Sequence, residues 1–123
     1  MAIKEKGTKG ENFACEYLRK LGYEITDRNW HSRYGEIDII ARKDEYIVFV
    51  EVKTRKASTD TEKYGKAQDA VNEEKRAHMR YTAGAYILRF RMQYLKPRFD
   101  IAEVYYTEGK RMKFKILYRK EAF

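Results

Sequence analysis

Only one cysteine occurs in the chain, Cys15, so no intrachain disulfide staples the fold and a reducing compartment suits it. Pro97 is the only proline, and no repeat or low-complexity tract is evident. No apolar run approaches the ~18 residues that a membrane-spanning helix requires. The opening stretch "MAIKEKGTKGE" lacks the apolar core of a signal peptide. These absences lead to the expectation of a soluble, cytoplasmic protein.

What is present is a chain of 123 residues, the length of one domain, here taken as 1–123. At that size roughly two-thirds of the unfolded surface can be buried, so a core forms without staples. Hydrophobic residues make up 43%, including 11 Tyr and 6 Phe, which argues against disorder even with 37% charged residues. The net charge is +8 and the isoelectric point is near 9.5. Nucleic acid is the default polyanionic partner of such a chain. An anionic membrane surface or an acidic protein is also compatible with that charge.

Hydrophobic spacing predicts a helix over 11–21, with Phe13, Ala14, Cys15, Tyr17, Leu18 and Leu21 inward and Gly22 as its C′ residue. "YEITDRN" reads as a short strand and "WHSRYG" as a turn or loop. "EIDIIAR" and "YIVFVEVKTR" read as a hairpin around "KDE". Residues 56–66 read as an exposed loop. Asn72, Glu73 and Glu74 are suited to open a helix running to about Phe90. "RFDIAEVYY" and "MKFKILY" complete the chain as two strands. The fold class is therefore mixed α/β with an open sheet.

Inside the hairpin, "FVEVKTR" carries Glu51 and Lys53 in an otherwise apolar run. Side chains alternate along a strand, so Glu36 and Asp38 share one face and Ile37 and Ile39 the other. A two-residue turn at Asp44–Glu45 pairs Asp38 with Glu51 and Glu36 with Lys53. A slip of one residue would split the charges onto opposite faces. Directly opposed carboxylates lie roughly 4.5–5.5 Å apart at Cβ, and two that close repel unless one is protonated or a cation intervenes. Mg²⁺, with Mn²⁺ as its substitute, fits such oxygen ligands, and the Val52 carbonyl is a candidate third ligand. Lys53 would then face a phosphate. The plainer reading is a solvated cross-strand cluster with a Glu36–Lys53 ion pair. Yet "IVFVEVK" is too apolar for a wet edge strand, and three acids outnumber one lysine.

The Asp38…Glu51-Val52-Lys53 constellation resembles the PD-(D/E)xK nuclease superfamily, with Ile37 in place of the proline. The longer stretches "KGENFACEYLRKLGYEITDRNW", "YGEIDIIARKDEYIVFVEVKTR" and "YGKAQDAVNEEKRAHMRYTAGAYI" resemble the YraN family of small predicted endonucleases, similar in fold to archaeal Holliday-junction resolvases. The likeness runs from Lys9 to about Val104. It implies a restriction-endonuclease-like fold, a central mixed sheet with helices on both sides. It further implies Mg²⁺-dependent hydrolysis of DNA phosphodiesters, on branched substrates, with Glu11, Asp38, Glu51 and Lys53 in the site. Such resolvases act as dimers, which makes a homodimer an expectation here, with apolar edge strands as its interface.

Around this core, Arg28, Arg33, Arg55 and Lys56 are candidate phosphate contacts, or generic basic surface. Lys75 and Gln68 either face the site or sit in solvent, and Glu36 would support it. Glu11 either reaches the site or merely favours a first helical turn. His31 and His78 read as surface residues. Trp30, Tyr34 and Tyr64 are candidates for stacking on unpaired bases, with core or loop anchoring the plainer reading for Trp30. Cys15 reads as a buried thiol. The basic tail around Lys113 and Lys115 either tracks a DNA backbone or guards an edge strand. Two readings compete with the nuclease: a nucleic-acid-binding module without turnover, and an assembly protein with an acidic partner.

Overall fold

A computed structural model describes residues 3–57 and 72–123. Most of the expected loop, Tyr64 and Gln68 lie outside the described residues. The elements run α1 (Ile3–Lys20), β1 (Glu24–Ser32), β2 (Gly35–Lys43), β3 (Tyr46–Lys56), α2 (Glu73–Arg89), β4 (Lys96–Thr107) and β5 (Lys113–Arg119). The sheet has spatial order β1-β2-β3-β4-β5. β3 and β4 are parallel and every other pair is antiparallel. This is the mixed α/β sheet between two helices expected of a restriction-endonuclease-like fold. No described helix is long and apolar enough to cross a membrane.

Each helix covers one face. Ala14, Cys15 and Leu18 of α1 pack on Ile39, Ala41, Val48, Val50, Ala102 and Val104. Ala83 and Tyr86 of α2 pack on Ile37, Ile40, Ile47 and Phe49. β3 is thus apolar on both faces because it is central and both faces are covered. Cys15 is wholly buried, as read from its helical position.

Several boundaries differ from those read in the sequence. α1 begins at Ile3 and not near Glu11. Its end is as expected: Gly22, at φ +92°, closes a Schellman turn in which Gly22 N–H donates to the Arg19 carbonyl and Tyr23 N–H to that of Leu18. β1 runs on through Trp30, His31 and Ser32, so the expected loop shrinks to a tight turn at Arg33–Tyr34. Lys56 is the last residue of β3, not the first of a loop. Asn72 caps α2, accepting from Lys75 N–H at 2.9 Å. The helix ends at Phe90 as expected, and Phe90, its C-cap, is 42% exposed.

Pro97 sits in an inner strand without cost. β5 does not reach it, since their pairing begins at Ile101 opposite Arg119. β5 is an edge strand with Lys113 and Lys115 exposed, which fits the guard reading of that tail. Near this edge, Asp100 is fully buried and held by Arg98, by Tyr118 OH at 2.5 Å and by Glu121 N–H at 3.0 Å. A buried charge of this kind is tolerated because every lone pair finds a donor.

One glycine sets the height of α1 over the sheet. A Cβ on Gly10 would lie 2.2 Å from Thr54 Oγ1 and 2.9 Å from its Cγ2. The helix therefore touches β3 at a distance that no side chain allows. Gly10→Ala should lower stability by roughly 1–3 kcal/mol through overpacking, despite alanine's better helix propensity. Adding Thr54→Ala should recover much of the loss, which chemical denaturation of the two single variants and the double variant would measure.

Candidate active site

The β2–β3 hairpin has the register expected for a turn at Asp44–Glu45. Ile39 pairs with Val50, Ala41 with Val48 and Lys43 with Tyr46. The ladder ends at Ile39–Val50. One residue further, Asp38 Oδ2 accepts a hydrogen bond from Val52 N–H at 2.8 Å. A side-chain oxygen thus takes the place of a backbone carbonyl and holds the strands as they separate. On its other side, β2 pairs Ile39 with Arg28 and Ile37 with Trp30, leaving Asp38 opposite Asn29, whose φ is +51°.

This irregularity corrects one expectation. Ile37 and Ile39 do not share a face: Ile37 packs in the cluster under α2, and Ile39 in the cluster under α1. The alternation breaks at Asp38, because Asn29 takes a left-handed conformation there and the strands diverge. Both faces of the hairpin are buried, so the picture of one apolar and one charged face fails in the middle of the sheet. The charges gather instead at the end of β3.

Asp38 and Glu51 line the same cavity of about 430 Å³, together with Glu36, Lys75, His78 and Thr82. Asp38 also lines a smaller cavity of about 230 Å³ on the opposite side of the sheet, with Lys6, Glu11, Val52 and Tyr106. Burial, followed by the charge of Glu51, pushes the Asp38 carboxyl up to about 7. Burial likewise raises Glu11, with Glu36 adding to the effect and Arg28 opposing it.

Glu51 is 5% exposed and carries the cationic side of the site. Its Oε1 lies 2.7 Å from Lys75 Nζ and 3.1 Å from Lys53 Nζ. Burial works against the Lys75 ammonium, but its bond to Glu51 outweighs this and leaves it above the ordinary lysine value. Lys75, one of two equal readings in the sequence, therefore faces the site. The expected Glu36–Lys53 pair does not form, since Lys53 turns to Glu51. Glu36 has His31 Nε2 at 3.9 Å and the Asn29 amide, which, oriented to donate, reaches Glu11 Oε1 at 3.0 Å and Glu36 Oε1 at 2.8 Å.

The remaining candidates divide. Arg28 is half-buried beside Glu11 and Cys15, with its Nε lacking a hydrogen-bond partner among the described residues. Arg33 lies in the β1–β2 turn and donates to Tyr34 OH at 2.7 Å. Arg55 and Lys56 are exposed at the end of β3. Trp30 packs edge-on against Tyr86 at 5.2 Å in the core. Asn29, Lys6 and the Gly10–Thr54 contact were not singled out in the sequence. The Asn in "DRNW" was the one available signal, since Asn tolerates the left-handed region.

The family model described as "Uncharacterised protein family UPF0102" matches residues 10–104. The chain belongs to this YraN-like family. A UPF0102 protein of Caldicellulosiruptor bescii is 44% identical over 125 residues, covering 100% of both chains. One of Syntrophomonas wolfei is 38% identical, over 87% of this chain and 90% of its own. One of Rhodococcus opacus is 39% identical, over 84% of each. The UPF0102 match contains Glu11, Asp38, Glu51, Lys53 and Lys75, and Gly10 is its first residue.

The raised Asp38 carboxyl has a consequence for stability. The unfolded chain releases this proton near the ordinary carboxylate value, whereas the folded chain holds it to about 7. Its contribution to stability is therefore full below the ordinary value and falls as pH rises towards 7. In the presence of a chelator, Asp38→Asn should stabilise the protein at pH 8, by roughly 1–3 kcal/mol, and flatten the decline between pH 4 and 7. Thermal unfolding of both forms across that range is the measurement.

Proposed function

We propose that the protein is a metal-dependent endonuclease that hydrolyses phosphodiester bonds in DNA, acting by structure and favouring branched DNA. The observation that carries this reading is the pressing together of Asp38 and Glu51 in one cavity, with two lysines bound to Glu51. A buried carboxyl such as Asp38, whose proton is held abnormally tightly beside a second carboxylate, is typical of sites built for chemistry. The +8 charge suits a polyanionic substrate.

The donor set fits a hard divalent cation such as Mg²⁺ or Mn²⁺. Asp38, which borders both cavities, would hold it with Glu51 from one side or with Glu11 and the Val52 carbonyl from the other, all oxygen donors. Such an ion would supply Lewis-acid stabilisation of the charge that develops on the phosphate. The chain's own groups do the rest. Lys53 and Lys75 provide ammoniums for the phosphate oxygens, and stabilise the transition state when they exchange Glu51 for them. With no ion bound, Asp38 holds a proton at its carboxyl up to near neutrality, and it would give that proton up on binding the ion. The Asp38–Val52 hydrogen bond keeps that carboxyl in place. Arg33, Arg55 and Lys56 supply flanking charge. A homodimer fits a substrate with two equivalent strands.

A second reading has an observation of its own. Among the described residues, no three His, Cys, Asp or Glu side chains stand together as a metal-ligating group. Glu51 Oε1 is also engaged by both lysines. A nucleic-acid-binding module without turnover would keep these contacts.

Purified protein should cleave branched or flapped DNA in Mg²⁺ or Mn²⁺, and Asp38→Asn and Lys53→Met should each slow it by about 10²-fold or more. Absence of cleavage, or cleavage that survives Asp38→Asn, would leave the binding module. Binding of Mn²⁺ at pH 6 should release protons that are not released at pH 9, because Asp38 is protonated only at the lower pH. Calorimetry in two buffers of different ionisation enthalpy measures this, and equal proton release at both values would exclude Asp38 as a ligand.

A further inference from the structure

The mouth of the Asp38–Glu51 cavity carries a pair of aromatic rings that the chemistry above does not use. Tyr34, in the β1–β2 turn, lines the cavity. Its ring lies 5.3 Å from that of Tyr81 on α2, with an interplanar angle of 34°. Tyr81 is 61% exposed and Tyr34 38%. The Arg33 guanidinium lies 4.9 Å from the centre of the Tyr34 ring.

The pair is held rigidly although it faces solvent. Ser32 Oγ and Thr82 Oγ1 are 3.1 Å apart and join the turn to α2. Ser32 Oγ also accepts from Tyr34 N–H at 3.0 Å, and Thr82 is fully buried. A brace between two elements would bury its rings, but these remain open. Two exposed aromatic rings, one on the turn and one on α2, offer open π faces beside a polar cavity. The surroundings are charged: Arg33, Glu36, Lys75 and His78. A base finds a π surface there, and its phosphates find the cations Arg33 and Lys75.

We propose that Tyr34 and Tyr81, with Arg33 packed on Tyr34, form a stacking platform for an unpaired nucleobase. The preferred ligand is then nucleic acid with an unpaired nucleotide next to the phosphate in the cavity, not a perfect duplex. The inference rests on the nucleic-acid reading of the site and adds its substrate class. Aromatic stacking is tolerant of base identity, so the platform selects structure and not sequence.

The test is binding in a chelator, where no cleavage intervenes. Oligonucleotide duplexes carrying 2-aminopurine either in a bulge or fully paired are titrated with wild-type, Tyr81→Leu, Tyr34→Leu and Tyr81→Phe proteins. The wild type and Tyr81→Phe should prefer the bulged duplex and quench its fluorophore. Each leucine variant should lose about tenfold or more of affinity for the bulge, with little change for the duplex. Unchanged thermal unfolding shows that the exposed positions tolerate leucine. Equal affinity of wild type and leucine variants for the bulge overturns the platform, as does an equal loss for both duplexes. A change of oligomeric state in Tyr81→Leu, with binding unaltered, overturns it in favour of a surface between copies. A preference for the bulge that depends on Tyr81, in a protein that never cleaves, upholds the platform and rejects the nuclease. No binding to any nucleic acid rejects both.

Discussion

The hydrogen bond from Val52 N–H to the Asp38 carboxylate is the contact on which the site depends. It replaces one rung of the β2–β3 ladder and so lets two central strands separate without leaving a buried donor unpaired. An inner strand seldom parts from its neighbour, because every backbone group it frees must find another partner. Here the replacement partner is an ionisable side chain. The opening in the sheet and the position of the ionisable group are therefore produced by the same residue.

Around that seam the charges balance by geometry more than by number. Four acids, Glu11, Glu36, Asp38 and Glu51, come from α1, β2 and β3. Lys53 comes from β3, Lys75 from the first turn of α2 and Arg28 from β1. Each cation has a specific neighbour: Lys53 and Lys75 at Glu51, Arg28 beside Glu11. Asp38 is left with a backbone donor and no cation among the described ion pairs. That imbalance raises its proton affinity, since burial and a neighbouring carboxylate act in the same direction.

The hairpin register up to Ile39–Val50, the end of α1 at Gly22, the cap of α2 at Asn72 and the edge position of β5 were legible in the sequence, while the expected Asp38–Glu51 rung lies just past the end of the ladder. They follow from local rules of alternation, turn length and capping. What escaped depends on contacts between distant segments. Lys53 is the exception: it was assigned to Glu36 on a ladder that in the fold ends at Ile39–Val50, so it turns to Glu51 of its own strand. The break in alternation at Ile37 arises from Asn29, a residue in another strand. The early start of α1 was hidden by glycines at positions 7 and 10, one of which is required by Thr54 and not by the helix.

Asp38 borders cavities on both faces of the sheet, which gives the site two entrances. In most α/β sheets the reacting group is served from one side, so that a bound substrate seals it. Here a ligand lying across the Lys75 side would leave the carboxylate in contact with the space beside Glu11 and Lys6. Water in the smaller cavity would still reach the carboxyl from that side. The Asp38 carboxyl is thus less the floor of one pocket than a partition between two.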